Sequence, residues 1–193
     1  MNSLEGKKII VFDCEIKKRI EDCSKGWQSH DEMGVSVLVL FDYQTMRYRI
    51  FDDKNILEAL MLLNTTDLCV GFNTVGFDWK LLRATYEMPD VRASRDYDIL
   101  REIWLSLGLN PDVFNPRTHG GYKLDDVAYD TIGLRKSGDG ALAPVLYQEG
   151  RIMELVDYCV QDVKIEKELF EFTQNYGYVF RGGNKIRVPQ ITI

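Results

Sequence analysis

No segment of the 193-residue chain approaches the uninterrupted apolar length of a membrane span. The start, MNSLEGKKIIVFD, carries no long apolar stretch behind a positive region, so an intracellular, cytoplasmic protein with no membrane partner is expected. Polar low-complexity tracts, repeats and a linker are missing, and there are only five prolines, which argues for a chain that folds throughout. This length fits one domain able to bury a substantial core, and a single domain over 1–193 is expected. Cys14, Cys23, Cys69 and Cys159 include no C-x-x-C pair, and only His30 and His119 could complete a zinc set. Free buried thiols are therefore expected. Basic residues are also in short supply, 24 against 30 acidic ones for a net charge of -6. That argues against a protein holding nucleic acid mainly through a broad basic surface. An acidic site that recruits divalent cations stays open, because phosphate can come in through the metals with a few local Lys and Arg residues completing the path.

What is present reads as a mixed α/β chain. Lys7 to Asp13 is a short apolar run ending abruptly in charge, the pattern of a buried strand. Residues 17–31 are polar and irregular. GVSVLVLFDY (34–43) and MRYRIF (46–51) are β-branched and aromatic runs about a short connection at Gln44-Thr45, an antiparallel hairpin. A helix over Asn55 to Leu63, a strand over 67–73 and a helix from about Phe77 follow. Helical spacing returns over Tyr97 to Leu107 and Leu124 to Ile132, with a loop over Gly108 to Gly121 between them, and the longest helix is expected over Gly150 to Gln174. The end, 177–193, reads as two short strands about Gly182-Gly183-Asn184.

Three places concentrate acid. Asp13 and Glu15 are two apart at the end of a strand, so both side chains leave the same face; a solvated strand end is the plain alternative. In Gly71-Phe-Asn-Thr-Val-Gly-Phe-Asp78 an apolar strand turns into a helix with Asp78 near its start, where a capping aspartate is equally at home. Tyr158 and Asp162 are four apart on one helix face that continues through Ile165, Leu169 and Phe172. An ionised Asp162 in that apolar stripe needs a partner, either an arginine or a cation.

In this order, D-x-E, N-x-x-x-F-D and Y-x-x-x-D resemble the three exonuclease motifs of the DEDD superfamily in its tyrosine-bearing branch, and GFNTVGFDWKLL and KLDDVAYDTIGLRKSG are similar to segments of the proofreading domain of family B DNA polymerases and related stand-alone exonucleases. The resemblance runs over about residues 8–174 and implies a ribonuclease H-like mixed five-stranded sheet flanked by helices, with the site at one end of the first strand. It further implies that Asp13, Glu15, Asp78 and Asp162 ligate two divalent cations, Mg²⁺ or Mn²⁺, that Tyr158 orients the attacking water, and that Asn73 contacts the scissile strand or water. The hard oxygen donors suit those ions. A phenol with a pKa of about 10 is a poor base, so positioning is the sensible task for Tyr158. Asp157, not His, stands five before Asp162, which places the chain in the tyrosine branch.

The activity implied is removal of nucleoside 5′-monophosphates from the 3′ end of nucleic acid, single-stranded DNA ahead of RNA. A binding module without catalysis and a structure-selective endonuclease are the competing readings. Where the family has a small hydroxyl residue after the glutamate, this chain has Ile16 followed by Lys17, Lys18 and Arg19. Phe77, with Phe72, is a candidate for stacking on bases, although both could equally be core. Phosphate contacts are expected from among Lys17, Lys18, Arg19, Arg92, Arg95, Arg117, Lys123, Arg135 and Lys136, with Lys17 taken as a substrate contact. Arg181, Lys185 and Arg187 could follow the substrate path or cover a sheet edge. His119 has no place in the motifs and is expected at the surface.

Overall fold

The computed structural model describes residues 6–91, 94–136, 138 and 140–191; Arg92 falls outside them. Its elements in chain order are β1 (Ile9–Ile16), 3₁₀ turns over Ile20–Asp22 and Gly26–Gln28, α1 (His30–Met33), β2 (Val35–Asp42), β3 (Arg47–Phe51), α2 (Ile56–Asn64), β4 (Leu68–Gly71), α3 (Asp78–Tyr86), β5 (Asp96–Asp98), α4 (Ile99–Ser106), α5 (Pro116–His119), α6 (Leu124–Ile132), α7 (Leu142–Gln148), α8 (Ile152–Tyr176), β6 (Tyr178–Arg181) and β7 (Asn184–Arg187).

The strand period of two splits β1 between two cores. Ile9 and Val11 enter one, with β2 residues Val37, Val39 and Phe41 and with apolar residues of α4, α6, α7 and α8. Ile10, Phe12, Cys14 and Ile16 enter the other, with α2 residues Leu60 and Leu63 and α3 residues Trp79, Leu81 and Leu82. Five strands lie in the order β3-β2-β1-β4-β5. The pairs β1/β2 and β2/β3 are antiparallel, while β1/β4 and β4/β5 are parallel. This is the expected α/β architecture, a mixed five-stranded sheet flanked by helices in the ribonuclease H-like order.

Several boundaries differ from the sequence reading. β1 continues beyond Asp13 to Ile16, because β2 pairs with it down to Val35 and Cys14 and Ile16 are buried on its far side. The strand thus carries both acids inside it. β5 lies where a helix was expected to begin at Tyr97; three residues are too few for a period to register. Residues 17–31 hold two 3₁₀ turns and the start of α1 rather than irregular chain, and α5 and α7 were not foreseen.

Gly182 and Gly183, at φ 57° and 79°, make the two-residue turn of the β6/β7 hairpin, which needs positive φ at both positions. The hairpin is its own two-stranded sheet and packs on α6, where Thr131 Oγ1 accepts from Phe180 N at 2.9 Å. Arg181 is consumed there, bonded to Asp126 at 2.9 Å and Asp130 at 3.1 Å. His119 is buried rather than at the surface, edge-on to Trp104 with ring centroids 4.8 Å apart. All four thiols are free and buried, as expected. Among the described residues no helix is long and apolar enough to cross a membrane.

Candidate active site

The same alternation that sends Ile9 and Val11 toward α8 sends Asp13 and Glu15 there, and α8 presents Tyr158 and Asp162 one turn apart on its buried side. Asp78 arrives from the other direction, as the first residue of α3. Its Oδ1 accepts from Cys14 N at 3.2 Å and from Cys14 Sγ at 3.0 Å, which ties α3 to β1 between the two acids of the strand. All five residues line one cleft of about 560 Å³. Donor atoms of Asp13, Glu15 and Cys159 all lie within 4.8 Å of one another.

The turn before Asp78 is built for close approach. A Cβ on Gly71 would sit 2.4 Å from Thr74 Cγ2 and 2.9 Å from the Phe12 carbonyl oxygen. Asn73 has a left-handed φ of 70°, and its Oδ1 lies where a side chain on Gly76 would be, so here it shapes the turn while still lining the cleft. Two acids of β5 hold the turn from behind. Asp98 accepts from Asn73 N at 2.8 Å and Val75 N at 3.1 Å, and Asp96 accepts from Thr74 Oγ1 and Trp79 Nε1, each at 3.1 Å. Neither was singled out in the sequence, although D-Y-D repeats the spacing of Asp13 and Glu15; the helical reading of that stretch hid it. Gly71→Ala is expected to cost about 1–3 kcal/mol in denaturant unfolding, because Thr74 and the β1 backbone must give way. Unchanged stability would show that the turn is slack.

Of the candidate cations, Lys136 and Arg19 line the cleft and Lys17 does not. Lys17 is paired with Asp53 at 2.6 Å, Lys18 with Glu32 at 3.2 Å and Arg135 with Asp125 at 3.0 Å. Lys136 Nζ lies 2.5 Å from Asp162 Oδ2 and 5.2 Å from the centre of the Tyr158 ring. Arg19 makes no ion pair among the described residues, and its Nε has no hydrogen-bond partner. Phe77 lines the cleft beside Trp27, with centroids 5.8 Å apart, and Phe72 lines it while packing on the α8-side core.

A fifth acid, Glu166, sits one turn beyond Asp162 and is 1 % exposed. Its Oε2 has no hydrogen-bond partner, and neither do Asp162 Oδ1 and the Tyr158 hydroxyl. Leaving several polar atoms unsatisfied in one buried place is costly. A hard cation would satisfy the carboxylate oxygens, so the donor set fits Mg²⁺ or Mn²⁺.

The electrostatics agree. Burial, reinforced by Asp162, pushes Asp13 up to about 7. Burial and the neighbouring acids hold Glu15, Asp78 and Glu166 well above the ordinary carboxylate range. Asp162 is raised by burial and pulled back by Lys136. Burial works against charge on Lys136, but Asp162, Tyr158 and Asp13 together outweigh it and hold the ammonium above its usual range. Burial raises the Tyr158 phenol, which stays protonated.

A folded-state pKa above the unfolded one means that the folded state keeps a proton which the unfolded chain has lost. For Asp13 the window runs from about 4 to about 7, and Glu15, Asp78 and Glu166, raised in the same direction, act with the same sign. The melting temperature of the metal-free protein should therefore fall as pH rises through that window. Mg²⁺ or Mn²⁺ should restore more of it at about pH 8 than at about pH 5, with proton release on binding. A melting temperature independent of both pH and metal would contradict a buried, cation-hungry cluster.

No protein-family model and no curated protein matches the chain. Among solved structures, the chain is similar to the family B DNA polymerase from the hyperthermophilic archaeon Pyrobaculum calidifontis, with a TM-score of 0.61 at 17% identity. The likeness covers 86% of this chain and 24% of the polymerase, so the chain spans about a quarter of that protein's length.

Proposed function

We propose that the protein is a metal-dependent 3′-5′ exonuclease of the tyrosine-bearing DEDD type. The observation that carries this reading is the convergence, in one cleft, of Asp13 and Glu15 from β1, Asp78 from α3, and Tyr158 and Asp162 from α8. Likeness to part of a DNA polymerase supports nucleic acid as the partner.

Asp13, Glu15, Asp78 and Asp162 would hold two divalent cations, which would supply acidity for the attacking water and offset charge at the phosphate. Tyr158 donates its hydroxyl to position the water, since it keeps its proton and lines the cleft. Arg19 meets the phosphate oxygens, and Phe77 and Asn73 steady the terminal nucleotide. Water oxygen bonds to phosphorus and the bond to the 3′ oxygen breaks. The 3′ oxygen takes a proton and stays on the shortened strand as its new 3′-hydroxyl, and the last nucleotide leaves as a 5′-monophosphate. Single-stranded DNA is the favoured substrate, ahead of RNA.

One feature favours a non-catalytic nucleic-acid module instead: Lys136 already neutralises Asp162. The test is degradation of 5′-labelled single-stranded DNA and its RNA counterpart, with Mg²⁺ or Mn²⁺ and with chelator, beside a circular DNA. A metal-dependent ladder shortening from the 3′ end, with the circle intact, is the expected result. Loss of the circle would make the protein an endonuclease, and no metal-dependent loss of any polymer would leave the binding module.

A further inference from the structure

Two thiols stand beside the acids of the cleft, and they are not equivalent. Cys14, between Asp13 and Glu15 on β1, is engaged: its Sγ–H donates to Asp78 Oδ1 at 3.0 Å, and its side chain belongs to the core under α2 and α3. Cys159, next to Tyr158 on α8, is buried on the other side of the sheet and makes two longer contacts, 3.6 Å to the Asp13 carbonyl oxygen and 3.7 Å to Asp13 Oδ2. Its sulfur and one carboxylate oxygen each of Asp13 and Glu15 all lie within 4.8 Å of one another. Asp162 lines the same cleft, buried, with an Oδ1 that has no hydrogen-bond partner and is available as a fourth donor.

The spacing suits a particular class of ion. Zn²⁺ holds sulfur at about 2.3 Å and carboxylate oxygen at about 2.0–2.2 Å in a tetrahedron, which sets a sulfur and an oxygen donor about 3.6 Å apart. Cys159 Sγ and Asp13 Oδ2 already stand 3.7 Å apart. Mg²⁺ gains little from sulfur, whereas a thiolate favours softer ions. We propose that Cys159 is a sulfur ligand at the cation position between Asp13 and Glu15, which therefore takes a thiophilic divalent ion, Zn²⁺ or Cd²⁺, more tightly than Mg²⁺. The proposal rests on the exonuclease reading for the use of that position, and adds what carboxylates alone do not supply, a choice among ions. On binding, the S–H bond breaks, an S–metal bond forms and the proton leaves to solvent.

The protein is titrated with Cd²⁺ in the absence of nucleic acid, and the ultraviolet sulfur-to-cadmium charge-transfer band is recorded. One equivalent should produce the band. Cys159→Ser, which is nearly isosteric, should lose the band and bind Cd²⁺ and Zn²⁺ about tenfold or more weakly, while its Mn²⁺ affinity stays within about threefold of wild type. Asp13→Asn should lose the band too, because a single sulfur does not hold the ion, and this variant decides the matter if Cys159→Ser does not fold. A wild type without the band, or either variant with the band and affinity of wild type, would overturn the proposal. Equal losses of Cd²⁺ and Mn²⁺ affinity in a folded Cys159→Ser would also overturn it, since the thiol would then be packing and not a ligand. None of these measurements needs turnover. A Cys159-dependent band in a protein that makes no ladder would sink the exonuclease reading alone, and a ladder without such a band would sink the sulfur ligand alone.

Discussion

Asp13→Asn is expected to lower the rate of 3′-end shortening about a thousand-fold or more, while raising the melting temperature of the metal-free protein. The kinetic half follows from what the cluster supplies: several kcal/mol of charge stabilisation are lost when a ligand goes, and about 4 kcal/mol is a thousand-fold in rate. Removing the charge has the opposite effect on folding. Asp13 must give up water beside Asp162, and both burial and that neighbour push its pKa up to about 7. Asparagine keeps the shape without the charge, so the gain should grow as pH rises toward that value and reach several degrees, at about 2–4 °C per kcal/mol for a chain of this size. Loss of activity with loss of stability would mark Asp13 as an ordinary structural residue. Stability gained at the expense of activity marks a site held under strain for function.

Lys136→Ala should do the reverse to the fold. Lys136 meets Asp162 at 2.5 Å, with the acid side chain 2% exposed and the lysine side chain 20% exposed. Breaking a buried pair from one side strands the other charge at about 3–5 kcal/mol; the partial exposure of Lys136 puts the expected loss near about 3 kcal/mol, or about 6–12 °C in thermal unfolding without metal. Mn²⁺ should recover more stability in this variant than in the wild type, because the lysine no longer competes for Asp162. If Lys136→Ala melts like wild type and binds Mn²⁺ no more tightly, the ammonium is not the stand-in for a cation that its position implies.

These residues also show what the sequence could reveal. Asp13, Glu15, Tyr158 and Asp162 obey the periods of their elements, two in a strand and four on a helix, so local spacing was enough to pair them. Asp78 could be placed at a helix start, but its bond to Cys14 depends on two segments 64 residues apart meeting, which no local pattern encodes. The sheet was legible where its strands were long apolar runs, as in β2. It was missed at β5, whose three residues owe their conformation to pairing with β4 rather than to any pattern of their own. For the same reason Asp96 and Asp98 escaped notice. The basic residues were the least legible, because composition could not say that Lys17 would turn to Asp53 and Lys136 into the cleft. Glu166 looks like one more helix-surface acid until α8 packs on the sheet.

The most direct test of the central claim is to soak crystals of the protein in Mn²⁺ and collect anomalous diffraction data. Anomalous density is expected between Asp13, Glu15, Asp78 and Asp162, absent in an Asp13→Asn crystal treated the same way. A clean map at saturating Mn²⁺, with Lys136 still seated on Asp162, would contradict it.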